Sequence, residues 1–469
     1  MTPAETAVSE APEPVGAMSH DEYYKIAGDC LPGSGLGSYS LPDDVRFVIH
    51  KGEGPRLQDV RGRWYIDYVG GAGALILGHA FPTVVDAVKD QAERGIHFFG
   101  TLNEQAIQLA EQLVPLIPCA DRIAFTTTGS EATAYAMRTA RAATGRSKVL
   151  KFEGAYHGNH DYSAFSVTPT ALSNYPQGRP DTGGLPANMV DNVLISPYND
   201  LDTLRRIVEE NREDLAAVIV EPIQRIIFPT EDFLPGVRKI CDDNGVLLIF
   251  DEVVTGFRLG LGGAQEFFGV LPDIASYGKV VGGGGPLSPL NRGKANYSYV
   301  NGTLHGNPVA AVAGLATLAE LKKTSFYTDL HALADDVCKA CQEVLDKNRV
   351  PAIATGKGSF WQILFMDKSP VNFRNDPARR SGGPVQRLVQ QSSHAEPCVW
   401  RVGILLRSTL QGSGKTRLSG RLRSEIAGHA DRRGIPDAEI YPGCPDEKDA
   451  VGGRRVHPVY RRGDQFSNA

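Results

Sequence analysis

Between residues 122 and 279, short apolar runs alternate with amphipathic stretches, and this pattern sets the frame for the rest of the chain. The clearest run is 246–250, apolar at every position and bounded by Gly245. It is too short for a helix, so it reads as a strand buried on both faces. Residues 122–125, 148–152 and 216–220 read the same way, while 131–143, 201–210 and 233–242 carry the spacing of helices with one apolar stripe. Regular alternation predicts an α/β fold whose mostly parallel, doubly wound sheet has helices on both faces.

Short strands are expected earlier, at 46–50, 56–60 and 64–68, with Gly52-Glu53-Gly54 and Arg61-Gly62-Arg63 as turns. Helices follow from Pro82 to Gly95 and from Asn103 to about residue 114, the second capped by Asn103. Long helices are expected at about 308–322 and 327–347, then strands at 350–354 and 359–365. The implied division is a disordered Ala-, Pro- and Glu-rich start (1–18), a segment joining the small domain (19–80), a large domain (81–322), the start of a smaller α+β C-terminal domain (323–374), and an atypical remainder (375–469).

Composition narrows the classes. With 42% hydrophobic and 22% charged residues the chain is an ordinary globular one, and its net charge of −5 argues against nucleic-acid or anionic-membrane partners. No run of 18 apolar residues occurs and the start has no basic-then-apolar leader, so a soluble cytoplasmic protein is expected. Seven cysteines are too few for a disulfide scaffold, and Cys338-Lys-Ala-Cys341 falls inside a helical pattern rather than a metal or redox motif.

The candidate chemistry sits where the strands end. Asp251-Glu252 closes the 246–250 run, and a carboxylate at the carboxyl end of a parallel strand lies where open α/β sheets bind ligands. Lys279 follows the next apolar run and precedes Gly282–Gly285. An acid and a lysine facing one crevice suit pyridoxal phosphate, whose aldehyde a lysine holds as a Schiff base and whose ring nitrogen pairs with an acid. Each residue alone favours the plainer reading, a helix cap for Asp251 and a solvated lysine for Lys279; their combination with an anion site carries the case. That site is Thr126-Thr-Thr-Gly-Ser-Glu131 between a strand and a helix, where Gly129, Ser130 and the first helical N–H groups meet a phosphate. Tyr156, in Glu153-Gly-Ala-Tyr-His-Gly158, ends a strand and suits stacking on a pyridine ring, with His157 beside it. Glu221 and Gln224 end another strand, and Asn301 to Pro308 forms a polar loop before a helix. Gly412-Ser-Gly-Lys-Thr416 lacks the leading glycine of a nucleotide loop and is read as chance.

These motifs occur together in the order of a known family. Gly-Ser-Glu-Ala (129–132), Tyr-His-Gly (156–158), Glu-Pro-Ile (221–223), Asp-Glu-Val-Val-Thr-Gly-Phe-Arg (251–258), Gly-Lys (278–279) and Gly-Thr-Leu-His-Gly-Asn-Pro (302–308) make the chain resemble a class III aminotransferase of pyridoxal-phosphate fold type I, near the glutamate-1-semialdehyde aminomutase branch. The resemblance runs from about Gly52 to about Phe373. It implies that Lys279 is the Schiff-base lysine and general base, Asp251 the partner of the pyridine nitrogen, Gly129 and Ser130 the phosphate loop, and Tyr156 the stacking aromatic. It further implies that Gln224 lies near the phenolic oxygen and that Thr303 reaches the phosphate of a neighbouring subunit in a homodimer with shared sites. The expected activity is transfer of an amino group from an amino-acid donor to a small carbonyl acceptor. The alternatives are an intramolecular aminomutase and, from another class, a non-catalytic cofactor- or partner-binding relative. Gln224 departs from the aminomutase pattern, which places transamination first. Arg225 or Arg258 is a candidate for holding a substrate carboxylate.

Two stretches depart from the family. Residues 286–301 are shorter than the segment that normally carries a strand and a short helix. Residues 375–469 hold 14 Arg and 2 Lys against 10 acidic residues, with Arg pairs at 379–380, 432–433, 454–455 and 461–462 and little apolar periodicity beyond 399–406. Arg-, Gly-, Pro- and Ser-rich text of this kind is what a GC-rich gene read out of frame produces; a basic partner-binding tail is the alternative.

Overall fold

A computed structural model describes residues 15–36 and 46–375, apart from residues 100, 170, 226, 283–287, 291–299, 365 and 367. The first element is one the periodicity does not announce, the helix His20–Cys30. Ser19 Oγ accepts from the Glu22 N–H, and the Glu22 carboxylate accepts from the Ser19 N–H at 2.8 Å, closing a capping box. An antiparallel sheet follows, made of β1 (Ile49–Glu53), β2 (Arg56–Asp59) and β3 (Trp64–Ile66). β1 begins three residues later than expected because the Arg46 carbonyl is taken by side chains: His20 Nε2 at 3.2 Å and Arg61 Nη2 at 2.9 Å.

The large sheet contains β4 (Ala124–Thr126), β5 (Lys148–Phe152), β6 (Val193–Ser196), β7 (Leu215–Val220), β8 (Leu247–Glu252), β9 (Ile274–Tyr277) and β10 (Ser288–Leu290), in the order β4-β10-β9-β8-β7-β5-β6. The ladders joining β5 to β9 are parallel, whereas β10 runs antiparallel to both β4 and β9. β10 occupies the place that the short 286–301 segment left open at the sequence level, with Leu290 opposite Ser276 and Ser288 opposite Thr126. β6 is an addition to the expected set; it has only four residues, all buried.

Strand alternation explains why both faces are covered. Val149, Ala217, Ile219 and Ile249 pack with Ala136, Met137 and Ala140 of the helix Gly129–Thr144. Leu150, Phe152, Val218, Val220, Leu248 and Phe250 pack the other way, against the helices Leu201–Asn211 and Phe233–Asn244. This is the doubly wound arrangement the alternation predicts.

The expected helices are present as Pro82–Arg94, Glu104–Leu113, Pro308–Leu321 and Phe326–Lys347. Asn103 caps the second, its Oδ1 accepting from the Ala106 N–H at 2.9 Å. Cys338 and Cys341 are free thiols within the last of them. β11 (Ile353–Lys357) and β12 (Phe360–Leu364) form an antiparallel hairpin whose Ile363 packs on Cys341 and Leu345. Beyond it the chain returns to the large sheet. Phe373 is buried over Gly154, and Arg374 grips the buried Glu153 carboxylate with two bonds of 2.7 and 2.9 Å. Residues 376–469 of the suggested out-of-frame segment, the 412–416 loop among them, lie outside the described residues, as do residues 1–14 of the expected disordered start. Among the described residues no helix is long and apolar enough to cross a membrane.

Candidate active site

At the carboxyl ends of β5, β7, β8 and β9 lies a cavity of about 660 Å³, whose walls include Gly129, Ser130, Tyr156, His157, Asp251 and Lys279. Pleat parity decides which acid of Asp251-Glu252 enters it. Asp251 shares the face of Ile249, toward the helix Gly129–Thr144, whereas Glu252 shares the opposite face. Glu252 is consumed structurally there: its carboxylate accepts from Thr255 Oγ1, the Ala264 N–H, Gln265 Nε2 and the Tyr277 hydroxyl.

Asp251 is 5% exposed, and its Oδ2 lies 2.7 Å from His157 Nδ1 while Oδ1 accepts from the Val253 N–H. Burial pushes the carboxyl up to about 7, opposed by the Val253 bond and the Lys279 charge. The same burial holds His157 down at about 3, and its Nε2 is enclosed with no hydrogen-bond partner. His157, left open between assisting and structural roles by the sequence, is therefore the direct contact of the acid. Lys279 comes from the neighbouring strand. Asp251 stands opposite Ser276 in the β8–β9 ladder, and Lys279 begins the tight turn after β9. Its φ of 52° is in the left-handed region, a conformation that costs a residue with a Cβ about 1 kcal/mol.

The anion site is built as a helix start. Thr128 Oγ1 accepts from the Glu131 N–H, and the Glu131 carboxylate accepts from the Thr127 and Thr128 N–H groups, so Gly129 and Ser130 form the first turn of a 16-residue helix. The loop 157–160 closes over it, the Asn159 N–H donating to Ser130 Oγ at 2.9 Å. This approach depends on Gly158: at φ 95°, a Cβ there would fall 2.5 Å from Ser130 Cα.

The remaining expected residues divide. Tyr156 lines the cavity, with Arg225 5.0 Å over its ring and its N–H donating to Glu221. Gln224 sits behind the wall: Nε2 donates to the Glu153 carbonyl at 2.8 Å, and Oε1 is buried without a partner. Thr303 does not line the cavity of its own chain; it is exposed on a turn tied to residues 96–103 by Asn307 to the Ile96 carbonyl and Asn103 to the Gly306 carbonyl. Ile96, Phe99 and Leu102 are exposed alongside.

Two walls escaped the sequence reading. One is the Gly70–Gly73 turn, held by Asp67, whose Oδ1 accepts from the Val69 and Gly70 N–H groups. The other is Ser359, Phe360 and Trp361 of the β11–β12 hairpin. The Gly-rich text of the first was a usable signal; nothing local marks the second.

The cavity fits an anionic aromatic cofactor. It offers a helix N-terminus cleared by Gly158, an acid beside a lysine, and an aromatic face. Among the described residues no cluster of His, Cys, Asp and Glu suits a metal ion. Comparison with known proteins agrees. The family described as aminotransferase class-III matches residues 39–392. The glutamate-1-semialdehyde 2,1-aminomutase of Methanocaldococcus jannaschii is 41% identical over 343 residues, covering 70% of this chain and 78% of its own. That of Methanopyrus kandleri is 39% identical over 356 residues, covering 73% and 82%. An omega-transaminase from Sphaerobacter thermophilus superposes with a TM-score of 0.74 at 29% identity, over 89% of this chain and 98% of that one. With its sheet, its crevice and its sequence from residue 39 to 392 all in agreement, the chain belongs to the class-III aminotransferases, enzymes of pyridoxal-phosphate fold type I.

Proposed function

We propose that this enzyme moves an amino group between carbons of one amino-carbonyl substrate, in the manner of a glutamate-1-semialdehyde aminomutase. The chemistry rests on one observation, the placement of Lys279 and Asp251 at neighbouring strand ends in a single cavity. The direction toward an aminomutase comes from the relatives that carry that name at 41% and 39% identity. This reverses the preference drawn from Gln224 alone.

In this reading Gly129 and Ser130 bind the cofactor phosphate, Tyr156 lies along its ring, Asp251 pairs with its ring nitrogen, and Gln224 supports the region of its phenolic oxygen. Pyridoxal phosphate supplies an electron sink for the carbon that loses its proton. Lys279, which lines the same cavity, would take that proton and hand it back as the amino group changes carbon. His157 holds Asp251 in place at 2.7 Å. Thr303 completes the phosphate site of a second copy, which accounts for its absence from the cavity of its own chain. The protein is then a cytoplasmic homodimer.

Transfer between two substrates is the second reading, favoured by Gln224 and by the likeness to the omega-transaminase. Loaded enzyme given glutamate 1-semialdehyde alone separates the two. Product formation without a second substrate supports the aminomutase; strict dependence on a separate amino donor and acceptor supports transamination. Cofactor binding with neither activity supports the non-catalytic relative. Borohydride reduction followed by peptide mapping should place the cofactor on Lys279, and a label on another lysine removes it from the role.

A further inference from the structure

Among the described residues the charges around the cavity are matched with one exception. Asp67 meets His79 at 2.6 Å, Glu221 meets Arg225 at 4.0 Å, and Asp251 lies in the field of Lys279. Arg258 also lines the cavity, yet it pairs with no carboxylate among the described residues. Its Nη2 donates to the Gly73 carbonyl at 2.7 Å, its Nε is buried without an acceptor, and the Phe360 ring lies 6.0 Å away. The Tyr327 phenol acts on it electrostatically, but its proton is spent on the Phe257 carbonyl. Burial holds the guanidinium down at about 10, as expected of an enclosed cation with too few acceptors.

Arg258 is half-buried and faces the cavity, and a guanidinium so placed without a counter-charge favours an anion that completes it. Its planar fork matches a carboxylate in particular. The surroundings keep it in place: the backbone carbonyl of Arg258 accepts from Ser359 Oγ, and the Gly70–Gly73 turn lies against its side chain. Gly73 stands at contact distance from the guanidinium, and its φ of 80° is what favours glycine there.

We infer that Arg258 anchors a carboxylate of the substrate within the cavity, so that the enzyme selects amino and carbonyl compounds bearing an acid group. The inference rests on the reading of this cavity as the substrate site. Arg225 is the weaker candidate because Glu221 and the Tyr156 ring already engage it. A purely structural role for Arg258 is the competing account: it staples the Gly70–Gly73 turn to the end of β8.

Calorimetric titration of cofactor-loaded protein with butyrate and with butyramide tests this without turnover, because the two ligands differ in charge and little in shape. Wild type should prefer butyrate by about tenfold or more, and Arg258→Gln should abolish that preference. Arg258→Lys keeps the charge but loses the fork, so the preference should shrink at least about threefold. No preference in wild type overturns the inference. An unchanged preference in Arg258→Gln, or an equal loss for both ligands as a staple would give, does the same. Should Arg258→Gln fail to fold, Arg258→Lys decides, and an unchanged preference there overturns the inference. The amino-transfer assay on wild type is a separate arm. Charge preference without amino transfer refutes the proposed function and keeps the site, whereas amino transfer with an Arg258-independent preference does the reverse.

Discussion

At the scale of single residues, Asp251 and Lys151 are two buried ionisable groups with different work. Asp251 faces the cavity and His157, and replacing it with Asn keeps its shape while removing its charge. The Asp251→Asn enzyme should retain cofactor, read from its visible absorbance, while turnover falls at least about a hundredfold. Near-normal turnover would exclude the electron-sink partnership. Lys151 belongs to no catalytic scheme. It is fully buried, its Nζ donating to the Ser163 and Phe165 carbonyls at 2.9 and 2.6 Å, and so it ties β5 to the loop beyond His157. Burial lowers its ammonium to about 7 from an ordinary value of 10.5. Between those values the unfolded chain holds a proton that the folded one has released. This group therefore adds stability as pH rises from 7 to 10, by up to about 1.4 kcal/mol per unit. Urea unfolding over that range should show the slope in wild type and a flatter line in Lys151→Met; parallel lines would remove Lys151 as its source. Asp251 was legible because it ends a continuous apolar run. The contact with His157 was not, since 94 residues separate the two and only the β5–β7–β8 ladders bring them together.

At the scale of elements, the loop 157–160 and the start of the helix Gly129–Thr144 form one device. Gly158→Ala puts a methyl group against the Ser130 backbone, where no flexible side chain can yield, and forces a left-handed φ on alanine. It should destabilise the fold by about 2–4 kcal/mol and weaken cofactor binding further, because the anion site itself is spread. Matched urea and cofactor titrations read both effects, and a variant that binds cofactor normally would show that the close approach does not shape the site. Most elements were legible because capping residues and apolar stripes act locally: Asn103, Thr128 and Asp200 each cap the helix that follows. The exceptions have physical reasons. β6 is four residues long and buried on both faces, so no alternation marks it. β10 includes Pro289, which argues against a strand until its place between β4 and β9 is known.

At the scale of the whole molecule, the turn carrying Thr303 and the exposed Ile96, Phe99 and Leu102 mark the face that the proposed dimer would cover. Sedimentation should give a dimer at assay concentration. Heterodimers of Lys279→Ala with a Thr303-disrupted subunit should recover at most one sound site, and a fully active monomer would defeat the shared-site arrangement. The apolar runs alone determined the sheet-and-helix class, because burial on two faces requires continuous hydrophobicity. The ordered motifs alone determined the family and singled out Lys279 and Asp251 as the proposed lysine and acid. Tertiary structure decided what depends on parity, register and chain return. It turned Asp251 inward and Glu252 away, joined His157 to Asp251, and moved Gln224 behind the wall. It also brought Gly73 and Phe360 to Arg258 across 185 and 102 positions of chain. Local sequence records which residues prefer a strand end or a helix cap. It does not record which distant backbone closes over them, because that is settled by packing.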